Sequence, residues 1–120
     1  MKIKTSELTG NPLNWAVAVA RFLPGAARSL VLPELRPYCT EWLHGGPIIE
    51  REGMELLCNV SPAQAKAFKN AAPDWFACLK YKRADHWHGP TPLIAAMRCY
   101  VASELGDEVD VPDSLALDAL

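Results

Sequence analysis

His86 and His88, in the run His86-Trp87-His88, are the closest pair of histidines in the chain. Residues two apart on an extended backbone point to the same side, so both rings would share a face. The thiol of Cys58 or Cys78 could then add a ligand. Zinc sites draw on recognisable paired spacings, and this sequence has no CxxC or comparable pair. The run therefore reads as a partly exposed loop, with no metal and no cofactor expected.

A second candidate lies around Trp42, His44 and Gly45-Gly46, just before Pro47. Backbone N–H groups at a helix start can receive an anion, and glycines let a ligand come close. With Trp42 as a stacking platform, and Glu50 and Arg51 a turn further on, Gly45 and Gly46 would seat a small ligand or nucleotide. Hydrolysis would be an extension of the same site. A glycine pair without a longer phosphate fingerprint is weak evidence, and the competing reading is a tight turn that sets Trp42 in the core. Glu50 and Glu52 do not share a helix face, so they make no catalytic pair, and Arg51 serves as their local counter-ion. Cys99 beside Arg98 lacks the base or helix start that would activate a thiol, and reads as packing.

The third candidate is a surface. Trp75, Tyr81 and Trp87 flank a run that alternates like a strand from Trp75 to Lys82, with Trp75, Ala77, Leu79 and Tyr81 inward. Phe76 and Cys78, with Lys80 and Lys82, then form its outer face. Left uncovered, an aromatic and basic face of this kind suits a protein partner, and coverage by the other helices of the domain is the competing reading.

The elements that would position these groups can be traced from capping and periodicity. Asn11 caps a helix with Pro12 at its first position, and Pro24-Gly25 stops it. Leu13, Ala16, Val17 and Ala20 form one apolar side and Trp15, Val19 and Phe22 a second, so this helix is deeply packed. An irregular stretch, 24–41, tucks Leu30-Val31-Leu32 onto the core. Gly45-Gly46-Pro47 breaks the chain, and a short helix runs from Ile48 to Glu52, ended by Gly53. Met54–Val60 alternates as a strand, with Glu55 and Asn59 on its outer side. Ser61-Pro62 opens a short helix, Ala63–Ala71. Thr91 and Pro92 open the last helix and Gly106 closes it as a left-handed C-cap, with Ile94, Met97, Val101 and Leu105 recurring at helical spacing.

Two strands alone are marginal in water, so helices must cover an apolar face. The expected fold is α+β: a two-layer or α/β/α-type sandwich whose antiparallel two- to three-stranded sheet is packed by the N- and C-terminal helices. Residues 1–4 are a candidate third strand. One domain, 1–106, would carry a loose acidic tail, 107–120. The 120 residues suit one domain, and 22% charged with 50% hydrophobic is ordinary globular composition. Residues 1–103 hold all 12 Lys and Arg against 8 acids, whereas 104–120 hold 6 acids and no base. The bases are scattered among acids and form no nucleic-acid footprint. Four separated cysteines and an N-terminus without an apolar leader point to reduced thiols in a cytosol. No run approaches the length of a membrane span.

Three blocks, in order, resemble the NinX-like proteins of lambdoid phages and prophages: Leu13-Asn14-Trp15-Ala16-Val17-Ala18, then Gly45-Gly46-Pro47-Ile48-Ile49-Glu50-Arg51-Glu52-Gly53, and Gly89-Pro90-Thr91-Pro92-Leu93-Ile94-Ala95-Ala96-Met97-Arg98-Cys99-Tyr100-Val101-Ala102-Ser103. Residues 24–41 and 61–74 have no counterpart in that resemblance. It implies a short phage accessory protein with no catalytic residues to carry over. The expected function is non-enzymatic binding of a host or phage protein, or of a second copy through an open sheet face. The ligand seat at Gly45–Arg51 is the alternative.

Overall fold

The computed structural model describes residues 1–22, 35–67 and 72–116. The expected stop at Pro24-Gly25, the Leu30-Val31-Leu32 turn and residues 117–120 lie outside these.

The centre of the fold is the helix with the clearest sequence signal, α4 (Pro92–Leu105). Thr91 caps it, its Oγ1 accepting the Ile94 N–H at 3.1 Å. Pro92 occupies the first turn, where a missing N–H costs nothing. Leu93, Ala95, Ala96, Met97, Cys99, Tyr100 and Val101 are all buried, so the helix is apolar around most of its girth. Such a helix must be covered on several sides. A three-stranded antiparallel sheet covers one side. Two helices, α1 (Gly10–Phe22) and α2 (Trp42–Glu52), cover others. The fold is thus α+β, with α4 on the sheet and α1 packed mainly on α4.

The sheet runs in the order β2 (Met54–Val60), β3 (Asp74–Leu79), β4 (Trp87–Gly89). Met54 pairs with Leu79, Leu56 with Ala77 and Cys58 with Trp75, and Trp75 and Ala77 in turn pair with Gly89 and Trp87. These residues share the face turned to α4, where Ala77 and Leu79 are buried. Between the first two strands, α3 (Pro62–Ala67) opens with a capping box. Ser61 Oγ accepts the Gln64 N–H at 3.1 Å, and Gln64 Oε1 accepts the Ser61 N–H at 2.8 Å.

Three expectations are corrected here. First, β3 ends at Leu79. Lys80–Lys82 turn as a 3-10 helix, which leaves Tyr81 75% exposed instead of inward. Second, Gly45-Gly46-Pro47 does not break the chain but lies inside α2, which starts at Trp42 and closes at Gly53 with φ 65° and ψ 44°, a left-handed cap. Third, Lys2–Lys4 (β1) is a strand but not of the main sheet. It pairs with β5 (Glu108–Asp110), so the segment expected as a loose tail holds a paired strand.

That pairing places Lys2 opposite Asp110 and Lys4 opposite Glu108, so the acidic segment meets basic residues of the first strand. Thr5 Oγ1 donates to the Gly106 carbonyl at 2.6 Å, and the Met1 ammonium reaches Asp110 at 3.0 Å and Asp113 at 3.1 Å. Val109 and Val111 are buried and belong to the core. Gly106 has the positive φ expected of it, but its ψ of −167° is extended, so the chain leaves α4 straight into β5.

Candidate functional site

The sheet face turned away from α4 carries the open chemistry. Strand register sets Leu57, Phe76 and His88 in one row across β2, β3 and β4. Leu57 is 49% exposed, and the Phe76 ring is only partly buried. Its centroid lies 4.9 Å from that of His86 and 5.6 Å from that of His88, both tilted against it. The two imidazoles thus share one aromatic partner, as their spacing predicts for extended backbone.

One end of this row is polar. Asp74 accepts from Asn59 Nδ2 at 3.0 Å, and His88 Nδ1 stands 3.2 Å from both Asp74 oxygens. The Asn59 hydrogen bond, with a smaller part from His88, holds the Asp74 carboxyl below its ordinary range. At the other end Glu55 pairs across the strands with Cys78. Arg83 places Nε at 3.0 Å and Nη2 at 2.6 Å from one Glu55 oxygen, and this holds the carboxyl low. Cys78 Sγ contacts the other Glu55 oxygen at 3.8 Å; burial, then the Glu55 charge, push that thiol up. A raised thiol pKa is the opposite of what a nucleophile needs.

Two clefts adjoin β4, and Trp87 lines both. One, of about 550 Å³, lies against α4 and includes Lys82, Asp85, His86, Cys99 and Ser103. The other, of about 430 Å³, includes Ser6, Asp74, His86, His88 and Arg98. Arg98 reaches past the strand, with Nη1 donating to the His88 carbonyl at 2.8 Å and Nε to the Leu8 carbonyl at 2.7 Å. The Asp74–His88 pair has the look of an oriented base, but no hydroxyl or thiol hydrogen-bonds to His88 among the described residues. Nor, among them, does any group of three His, Cys, Asp or Glu side chains come together to hold a metal ion.

The residues singled out near Gly45 are placed differently from the expected seat. Trp42 is 53% exposed at the start of α2, not in the core. Gly45 is buried mid-helix and its N–H is taken by the Glu41 carbonyl at 3.0 Å, leaving nothing for an anion. Gly46 lies one residue further along the same helix, and Glu50 is exposed. Arg51 bonds Glu52 at 3.2 Å and the Tyr100 hydroxyl at 3.2 Å, so it ties α2 to α4. These residues share a helix, and none of them lines either of the two clefts beside β4. Of the surface candidates, Phe76 lies on the open face, whereas Lys80 and Lys82 are exposed on the turn beyond it, and Lys82 also lines the larger cleft.

Sequence reading missed Leu57, Asp74 and Arg98. The alternation that put Glu55 and Asn59 outward carries Leu57 with them, so that signal was present. Nothing local marks Asp74 or Arg98, whose roles come from cross-strand pairing and from the reach of a long side chain over β4.

Among the described residues, no helix is long and apolar enough to cross a membrane. The search of curated proteins finds no match. A sequence model described as bacteriophage P22 NinX matches residues 33–104. That span runs from before α2 through the whole three-stranded sheet to the last turn of α4, and it takes in residues 61–74 and the second and third of the resembling blocks. The chain that builds this sheet and the helix beneath it belongs to the NinX family of phage proteins.

Proposed function

We propose that this phage accessory protein acts without catalysis, by binding another protein through the outer face of its three-stranded sheet, in the cytoplasm of the bacterial host. The observation that carries the reading is the row Leu57, Phe76, His88: an exposed aliphatic side chain beside an aromatic ring set between two imidazoles. A half-solvated antiparallel sheet ordinarily shows polar residues on its open side, so apolar groups there favour a partner. Around the row, the carboxylates of Asp74 and Glu55 are held by neighbours, which gives the face a polar rim.

Light scattering during size exclusion separates a second copy from a foreign partner, and photo-crosslinking from position 57 in phage-infected cells identifies either. Association is expected in one of these two forms, and Leu57→Lys should abolish it while leaving the circular dichroism unchanged. A monomer at all concentrations that crosslinks to nothing, or association indifferent to Leu57→Lys, would overturn the reading.

A further inference from the structure

The cleft of about 430 Å³ beside β4 contains a cation, Arg98, that pairs with no carboxylate among the described residues. Arg98 is half-buried, and both of its hydrogen-bond partners are neutral backbone carbonyls, those of Leu8 and His88. Among the described residues no carboxylate lies within ion-pair distance of it, and Nη2 makes no hydrogen bond. Two of the five guanidinium donors are therefore used and the outer part of the fork is spare. Withdrawing a charge from water without a counter-ion is costly, and burial does lower the Arg98 pKa.

The other polar groups lining the cleft suit a negative guest. The imidazoles of His86 and His88 and the exposed Ser6 are all there. Asp74 is the one carboxylate on the lining, and it is already engaged by Asn59 and His88. Arginine prefers planar or tetrahedral oxyanions, which accept two parallel N–H bonds.

We propose that this cleft binds a small oxyanion, the terminal group of a phosphate or a carboxylate, on the unused side of the Arg98 guanidinium with Ser6 and an imidazole as further donors. The proposal goes beyond the partner-binding reading and does not rest on it: the sheet face could fail to associate while the cleft still takes its anion.

Inorganic phosphate and succinate, titrated separately into the protein in chloride buffer, distinguish the two sources. Proton–nitrogen spectra should show saturable shifts at the Arg98 Nε–H, the Ser6 amide and the His88 ring. Shifts with phosphate alone assign a phosphoryl guest, with succinate alone a carboxylate, and with both a general oxyanion site. Shifts with neither would overturn the proposal. Ser6→Glu, at an exposed position, puts a tethered carboxylate into the cleft. It should raise the melting temperature and weaken anion binding at least roughly tenfold. A Ser6→Glu protein that titrates like the parent would overturn it as well.

Discussion

A Cβ placed on Gly45 would stand 2.6 Å from Cδ1 of Leu93 and closer still to the Tyr38 carbonyl oxygen. This contact fixes how near α2 approaches α4, and one of its two obstacles is backbone that cannot swing aside. Gly45→Ala should therefore destabilise the protein by about 1–3 kcal/mol, as overpacking does, despite alanine's better helix propensity. Gly46 is the control. Its Cβ would meet only Trp42 Cε3, at 3.8 Å, and Gly46→Ala should stabilise the helix by up to about 1 kcal/mol. Urea denaturation of the pair reads both signs.

Thr91 offers a smaller and cleaner test. Its hydroxyl oxygen accepts the Ile94 N–H at the head of α4, and removing the cap in Thr91→Ala should cost about 1 kcal/mol. Serine at the same position should recover most of the loss. The measurement is a shift in denaturant midpoint at constant slope.

The thiols should titrate in two groups. Cys58 is exposed, whereas Cys39, Cys78 and Cys99 are buried, and burial pushes the Cys99 thiol up to about 12. Native protein should release one rapid equivalent with a disulfide reagent near neutral pH. The remaining thiols should react only on unfolding, at a rate set by opening of the core. Cys58→Ser should remove the fast phase alone.

Acid sensitivity should concentrate on the sheet. Arg83 lowers the folded-state pKa of Glu55 below its ordinary 4.5, and the Asn59 hydrogen bond lowers that of Asp74 below 3.8. A carboxyl depressed on folding contributes stability that is complete above the unfolded pKa and is lost as pH falls through the folded one. Stability should accordingly decline from about pH 4.5 downward, and Glu55→Gln should flatten the upper part of that decline. A pH series of thermal melts on the two proteins decides the point.

How far the sequence could be read follows from where each interaction sits along the chain. The caps at Thr91 and Ser61 and the apolar face of α4 are local, and they were legible because their partners lie within a turn. The alternation of Met54–Val60 and the first part of the following strand was legible for the same reason, and the two do pair. The Gly45-Gly46-Pro47 segment misled, because glycine and proline punctuate most chains. In this one the reason for Gly45 is the Tyr38 carbonyl, before the helix begins, and Leu93, which is distant in sequence. The acidic end misled too: its partner, Lys2–Lys4, is at the opposite end of the chain. Of the candidate sites, Phe76 and the histidines were recognisable by type. The Asp74–Asn59–His88 link and the reach of Arg98 depend on register and on tertiary contact, which no window of residues contains.

The position of α4 has a consequence for how the protein comes into being. Ribosomes deliver α1, α2 and the first two long strands before position 92, yet the surface on which they bury their apolar sides arrives only with residues 92–105. Until then Leu13, Val17, Ile48 and Ala77 have no common core to enter. A nascent chain held at that stage is a substrate for host chaperones and proteases. A nonsense mutation anywhere upstream of Pro92 should yield a product cleared at birth, so the gene delivers its protein whole or hardly at all.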